Sequence, residues 1–333
     1  MKQFDIPVVL FLFKRTESTL KIIERIKCVL PKKIYLLSDD GRNEEECAMV
    51  KKCRKDVEDH IDWDCEIIKN YASGNRGVYA NIGLGAKWVL EREPWAIFLE
   101  DDNLPEVSFF SYCRELLLKY KDNERVLWIC GTNYLGSYKN SQNHSYMFTQ
   151  HLLPCGWASW SHKFLKYYDG ELDCVGEIDV WSKVRKTYLN EALFNQQKRE
   201  ILSEYARKQN GERFLSWDYQ MNFSIRYHNL LGISPANNQI KNIGVDEFSI
   251  HGGNSWQSVM TRRFCGMPSY ELNQPMIHPE TVSVDGTYEK KIGKVILRPL
   301  SNRIFQFICH TLKSIISENN YEKLRSVYHR MRK

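Results

Sequence analysis

The chain has 333 residues and a formal net charge of +6, with 43% hydrophobic and 26% charged residues. That length makes one large domain or two ordinary ones, and that composition buries a core and excludes disordered, collagen-like and low-complexity chains. No apolar run approaches the ~18 residues of a membrane span, and residues 6–13 lack the length and cleavage site of a secretory signal, so the expected location is the cytoplasm.

Residues 7–13 read as a buried strand, and 19–29 as a helix with Leu20, Ile23, Ile26 and Cys28 at helical spacing. A second strand is predicted over 34–37, ended by the turn residues Ser38-Asp39-Asp40-Gly41. A polar helix follows over 44–59, then a strand over 65–69 and a helix over 75–91. A fourth strand over 96–99 runs straight into Glu100-Asp101-Asp102, with a helix over about 107–120 and a strand over 126–130 behind it. Alternating strands and helices of this kind predict an α/β layer with a mostly parallel sheet. From about residue 145 the chain turns aromatic and irregular, with a long polar helix expected over 183–208 and another over about 218–229. No Gly/Ser linker separates the halves, so residues 1–297 read as one domain, with a first half over 1–135 and a second over 136–297.

Charge is unevenly placed. Residues 298–333 hold eight Lys or Arg against two acids, which is the whole net charge; the preceding 297 residues balance 39 against 39. The body is therefore no basic nucleic-acid surface. The tail reads as a basic amphipathic helical segment, its start marked by Pro299 and Ser301, with Leu300, Ile304, Ile308, Leu312 and Ile315 in one stripe and Tyr321, Leu324, Tyr328 and Met331 in another. Ten cysteines occur with no CxxC pair, which argues against a zinc site and for free thiols.

Five constellations carry possible chemistry. Three consecutive carboxylates, Glu100-Asp101-Asp102, sit where an α/β sheet binds ligands, beyond a strand's carboxyl end. They repel one another unless a cation sits among them, and so few ligands suit Mg²⁺ or Mn²⁺ shared with a diphosphate; the competing reading is a helix cap. Asp39 and Asp40 suit hydrogen bonds to a base or ribose, or simply an Asx-turn. Arg15, after the first strand, suits phosphate, and Gly74-Asn75-Arg76-Gly77 is a flexible turn but no P-loop. Asp218, in Ser216-Trp217-Asp218-Tyr219, is a carboxylate among aromatics at a helix start, suited to proton abstraction or to the helix dipole. His251 lies in a glycine-rich loop after Asn242-Ile243-Gly244, with the chemistry to ligate a metal or touch phosphate.

Together these residues resemble the GT-A nucleotide-diphosphosugar glycosyltransferases, in particular the N-acetylglucosaminyltransferase I family and its bacterial relatives. The resemblance spans roughly residues 5–255: Ile6-Pro7-Val8-Val9-Leu10 then Arg15, Ser38-Asp39-Asp40, Glu100-Asp101-Asp102 with Phe109-Phe110-Ser111-Tyr112, Gly156-Trp157, Trp217-Asp218, and Gly244 with Ser249-Ile250-His251-Gly252. It departs between Cys65 and Ala86, and nothing after residue 260 is covered. It implies a Rossmann-like GT-A sheet and an inverting transfer of a hexose or N-acetylhexosamine from a UDP-sugar to a glycan or lipid-linked saccharide. In that scheme Asp102 holds Mn²⁺ or Mg²⁺, Glu100 and Asp101 orient sugar and ribose, Arg15, Asp40 and His251 contact the nucleotide, and Asp218 is the base. Trp157 and Trp160 are expected to face the acceptor sugar. A lipid-linked acceptor would give the tail an anionic membrane surface to bind. The alternatives are a sugar-1-phosphate nucleotidyltransferase, against which the glycine-free Phe13-Lys14-Arg15-Thr16-Glu17 argues, and a non-catalytic carbohydrate-binding protein on the same fold.

Overall fold

Five apolar residues in succession make β1 (Val8–Leu12), a strand buried along its whole length, as a strand covered on both faces must be. The computed structural model describes residues 3–245, 256 and 258–304. After β1 come α1 (Thr16–Lys27), β2 (Lys33–Ser38), α2 (Glu44–His60) and β3 (Glu66–Tyr71). A π turn (Tyr79–Gly83) runs into α3 (Leu84–Leu90), followed by β4 (Trp95–Glu100), β5 (Asn103–Pro105), α4 (Ser108–Lys119) and β6 (Val126–Cys130). The second half contains β7 (Tyr146–Thr149), β8 (Trp157–Trp160), α5 (Ser161–Tyr167), α6 (Val180–Arg185), α7 (Glu191–Gln209) and α8 (Asp218–Tyr227). It closes with β9 (Leu231–Pro235), β10 (Ile240–Asn242), α9 (Val259–Phe264) and α10 (Gly286–Ile296).

Eight strands form one sheet in the order β3-β2-β1-β4-β8-β6-β9-β7. The run β3-β2-β1-β4 is parallel. Strand β8 enters antiparallel between β4 and β6, β9 pairs parallel with β6, and β7 closes the edge antiparallel to β9. This is a Rossmann-like, mixed and mostly parallel α/β sheet flanked by helices. The chain winds from β1 out to β3, then returns to place β4 on the other side of β1. The strand order therefore reverses between β1 and β4, and the carboxyl ends at such a reversal are where open α/β sheets bind ligands. Strands β5 and β10 form a separate antiparallel pair, with Asn103 opposite Asn242.

A stack of aromatic rings ties the two halves of the sheet together. Trp157 on β8 lies 3.9 Å from Phe98 on β4 and 4.2 Å from Trp128 on β6, centroid to centroid, both nearly parallel. Trp217, the residue before α8, joins at 5.7 Å from Trp157. The entry to α8 is thus packed on β8, the strand that begins beside the end of β4.

Three expectations change in detail. The helix expected over 75–91 starts two residues later, at Gly77, whose φ of +84° turns the chain into it. The helix expected over 183–208 is two, because the Asn190 side chain caps α7 by accepting the Leu193 N–H at 3.1 Å. Strands β7, β8 and β9 fill the stretch that reads as irregular. The contacts divide the chain into two units, 1–295 and 296–333. In the second, residues 300–304 are helical, the Arg303 N–H bonding Pro299 O at 3.1 Å; the tail residues from Phe305 onward lie outside the described residues. Among the described residues no helix is long and apolar enough to cross a membrane.

Candidate active site

The first turn after β1 and the end of β4 meet at the switch point. Arg15 Nη1 lies 3.1 Å from Asp101 Oδ1 and 3.7 Å from Asp102 Oδ2. Ser18 Oγ donates to the Asp101 carbonyl at 2.6 Å, holding the start of α1 on the acidic turn. Glu100, in register with Phe11 across the sheet, has its carboxyl pushed well above the usual range. Burial is the main cause; the charges of Asp102, Asp101 and Asp218 add to it, and Arg15 opposes it. The Asp218 charge thus acts on Glu100 despite its distance along the chain.

The β5–β10 pair fixes Asp102 from behind. The Ile243 N–H donates to the Asp102 carbonyl at 2.8 Å, and Asn103 Nδ2 donates to Asp102 Oδ1. Asn103 is 1% exposed, and its Oδ1 accepts the Gly156 N–H at 2.7 Å. Its only sequence signal is its place directly after the triplet, and sequence reasoning passed over it. A Cβ at Gly244 would lie 2.3 Å from Asp102 Oδ2, so backbone packs directly on this carboxylate.

Asp39 and Asp40 separate in role. Asp39 is buried, and its Oδ1 accepts the N–H groups of Asp40 at 2.9 Å and Arg76 at 2.7 Å. Its Oδ2 accepts from the Gly77 N–H at 2.9 Å and Asn75 Nδ2 at 3.1 Å. Asp39 thus holds the turn after β3, and the Gly74–Gly77 turn serves β2 rather than standing alone. Asp40 gives one oxygen to the Gly41 N–H at 2.8 Å and is the partly exposed member of the pair.

Asp218 is the first residue of α8. Ser216 Oγ donates to its Oδ1 at 2.6 Å and accepts the Tyr219 N–H at 3.0 Å. The two tryptophans expected on the acceptor side require correction. Trp157 and Trp160 are 1% and 0% exposed. Trp157 is the centre of the ring stack, and Trp160 Nε1 donates to Leu117 O at 2.9 Å in the core. Both are packing residues of β8, not contact surface. His251 lies outside the described residues.

Among the described residues no cluster of three or more His, Cys, Asp or Glu side chains forms a metal cage. The donor set nevertheless fits a divalent cation that takes most of its ligands from elsewhere. Hard carboxylate oxygens of Asp101 and Asp102 lie against the Arg15 guanidinium, the neighbouring Glu100 is driven toward its neutral form, and the Asp102 side chain remains 19% exposed. Such a site suits Mg²⁺ or Mn²⁺ held by one or two carboxylates plus phosphate oxygens.

No protein-family model matches the chain, and no curated protein matches its sequence. Among solved structures it is similar to the mannosyltransferase PcManGT from Pyrobaculum calidifontis, in complex with GDP-Man and Mn²⁺, at 9% identity and a TM-score of 0.33, over 68% of this chain and 70% of that one. It is similar to S. aureus TarS 1–349 at 8% identity and a TM-score of 0.36, over 71% of this chain and 59% of that one. A UDP-glucose pyrophosphorylase complexed with UDP-glucose is similar at 11% identity and a TM-score of 0.35, over 72% and 94%.

Proposed function

We propose that the chain is a metal-dependent, inverting glycosyltransferase of the GT-A type. It moves a hexose or N-acetylhexosamine from a UDP-sugar to a hydroxyl of a glycan or lipid-linked saccharide. One observation carries this reading: the switch point of the sheet gathers Arg15, Glu100, Asp101 and Asp102, with the Asp218 charge acting on the same group. Cationic and anionic groups at a switch point suit a nucleoside diphosphate and its cation. Asp102 would hold Mn²⁺ or Mg²⁺, which when bound offsets charge on the departing diphosphate. Arg15 serves the phosphates and Asp40 the nucleoside, while Glu100 and Asp101 orient donor sugar and ribose. Asp218 accepts the proton of the acceptor hydroxyl as its oxygen attacks the anomeric carbon. One base and one displacement, from the face opposite the leaving group, invert the configuration. The cytoplasm is the expected compartment, and the basic segment 298–333 is read as a contact with anionic membrane lipid.

The test is turnover and binding on the same panel of nucleotide sugars, with and without Mn²⁺. Asp102→Ala is expected to lose Mn²⁺-dependent UDP binding while its melting transition persists. Asp218→Asn is expected to keep UDP binding and lose transfer by about 10²–10⁴-fold, as for a missing general base. Parental Mn²⁺ and UDP binding by Asp102→Ala would make the triplet a solvated cap. Pyrophosphate release from UTP and a sugar 1-phosphate would move the chain to the nucleotidyltransferases.

A further inference from the structure

Helix α7 is polar along most of its length, yet it buries one carboxylate. Glu204 is 4% exposed and lies on the face that carries Leu193, Phe194 and Ile201. A charge there is costly unless hydrogen bonds meet it. They come from the segment that enters α8: Glu204 Oε2 accepts the Leu215 N–H at 2.8 Å and the Ser216 N–H at 3.3 Å. Ser216, 2% exposed, passes the constraint on. Its backbone is held by Glu204 while its Oγ donates to Asp218 Oδ1 at 2.6 Å and accepts the Tyr219 N–H at 3.0 Å. Two further bonds brace the same segment, from Arg207 Nε to Arg213 O at 2.8 Å and from the Tyr168 hydroxyl to Trp217 O at 3.2 Å.

We infer that Glu204 and Ser216 are positioning residues for the Asp218 carboxylate: Glu204 fixes the backbone of residues 215–216, and Ser216 fixes the carboxylate through its hydroxyl. The inference rests on the reading of Asp218 as the base. The chain of contacts is continuous, and its two central members, Glu204 and Ser216, are both buried, which limits the exchange of the Ser216 hydroxyl with water. The Asp218 charge in turn acts on Glu204, whose carboxyl is raised mainly by burial. Both N–H groups reach one oxygen of Glu204, so a neutral acceptor in its place preserves the geometry and removes the charge.

Glu204→Gln is that neutral acceptor, Glu204→Ala removes both, and Ser216→Ala removes only the hydroxyl. Amide hydrogen exchange over residues 213–219 reads the clamp without reference to activity. The Leu215 and Ser216 amides are expected to exchange roughly tenfold faster or more in Glu204→Ala, and close to the parent rate in Glu204→Gln. In the transfer assay, Glu204→Ala and Ser216→Ala are expected to lower kcat by about 10–100-fold at constant donor KM, with Glu204→Gln recovering most of the loss. Unchanged exchange in Glu204→Ala overturns the clamp. A folded Ser216→Ala enzyme with parental kcat overturns the positioning role, and it does so even if Glu204→Ala fails to fold. Parental turnover in Asp218→Asn is a different result: it removes the base reading, and the exchange experiment still decides whether Glu204 holds the segment.

Discussion

Gly244 sets the space in which Asp102 can act. A methyl group there would meet the Asp102 carboxylate at 2.3 Å and its Cβ at 2.8 Å, closer than any stable contact. Asp102 is in turn pinned by its own carbonyl to the Ile243 N–H, so the carboxylate must swing rather than the turn retreat. Gly244→Ala is therefore expected to raise the Mn²⁺ concentration needed for half-maximal transfer by about tenfold, at a stability cost of roughly 1–3 kcal/mol from overpacking. A metal titration with an unchanged midpoint would show that Asp102 is not a ligand. The acidic triplet and Arg15 were legible in the sequence because consecutive charges after an apolar strand have few structural uses. The work of Asp39 was not, because its partners are the Asn75 side-chain amide and the Arg76 and Gly77 backbone N–H groups of a turn 36 to 38 residues further on. Glu204 gave no signal at all, being one acid among many on a charged helix. Trp157 and Trp160 misled because an aromatic residue has the same letter in a core as on a sugar-binding surface.

Parallel strands buried on both faces announce themselves as apolar runs, which is why β1, β2, β4 and β6 stand out in the sequence. Strands β7, β8 and β9 are four or five residues long, too short to show a period, and β8 finds both its partners, β4 and β6, far away in the sequence. Helix α10 belongs to this unread part, and it anchors a buried ionic network. Glu289 on α10 accepts Thr149 Oγ1 at 2.5 Å, the Gln150 N–H at 3.0 Å and Arg226 Nη2 of α8 at 3.2 Å. Arg226 also donates to His151 Nδ1 at 2.9 Å and lies over the Tyr188 ring. Removing Glu289 strands a buried guanidinium, so Glu289→Ala is expected to cost about 3–5 kcal/mol. Burial takes the His151 imidazole down to about 4, the Arg226 charge assisting and Glu289 opposing. Burial pushes the Glu289 carboxyl up, but His151 and Arg226 outweigh it and leave it below its ordinary value. For His151 the unfolded chain binds more protons than the folded one between about pH 6.5 and 4, so stability falls as pH drops through that window, by about 3 kcal/mol. Glu289 acts in the same direction, its contribution lost as pH falls below the ordinary carboxylate range. Urea denaturation at pH 7, 5.5 and 4.5 should show this slope, and His151→Gln should flatten it between pH 6.5 and 4. An equal slope in His151→Gln would place the sensitivity elsewhere.

At the scale of the whole molecule the charge is divided rather than spread. Residues 1–297 balance to zero, while the last 36 residues carry the full +6. A neutral body has no long-range pull toward an anionic surface, so any attraction of that kind must come through the tail. There, each Lys or Arg held near an anionic leaflet adds about 1 kcal/mol, and apolar residues at helical spacing along the same segment would supply the buried face such a helix needs. The opposing view is that these apolar stripes pack on protein. The two views diverge with salt, because screening shortens from about 10 Å at 0.1 M to about 3 Å at 1 M and weakens lipid attraction without weakening apolar packing. Binding to phosphatidylserine-containing vesicles is expected at 0.1 M salt, to fall away at 1 M, and to be lost on truncation after residue 297, with donor hydrolysis retained by the shortened chain. Full-length protein that ignores such vesicles, together with a truncated chain that aggregates, would assign the tail to packing and remove the membrane from the account.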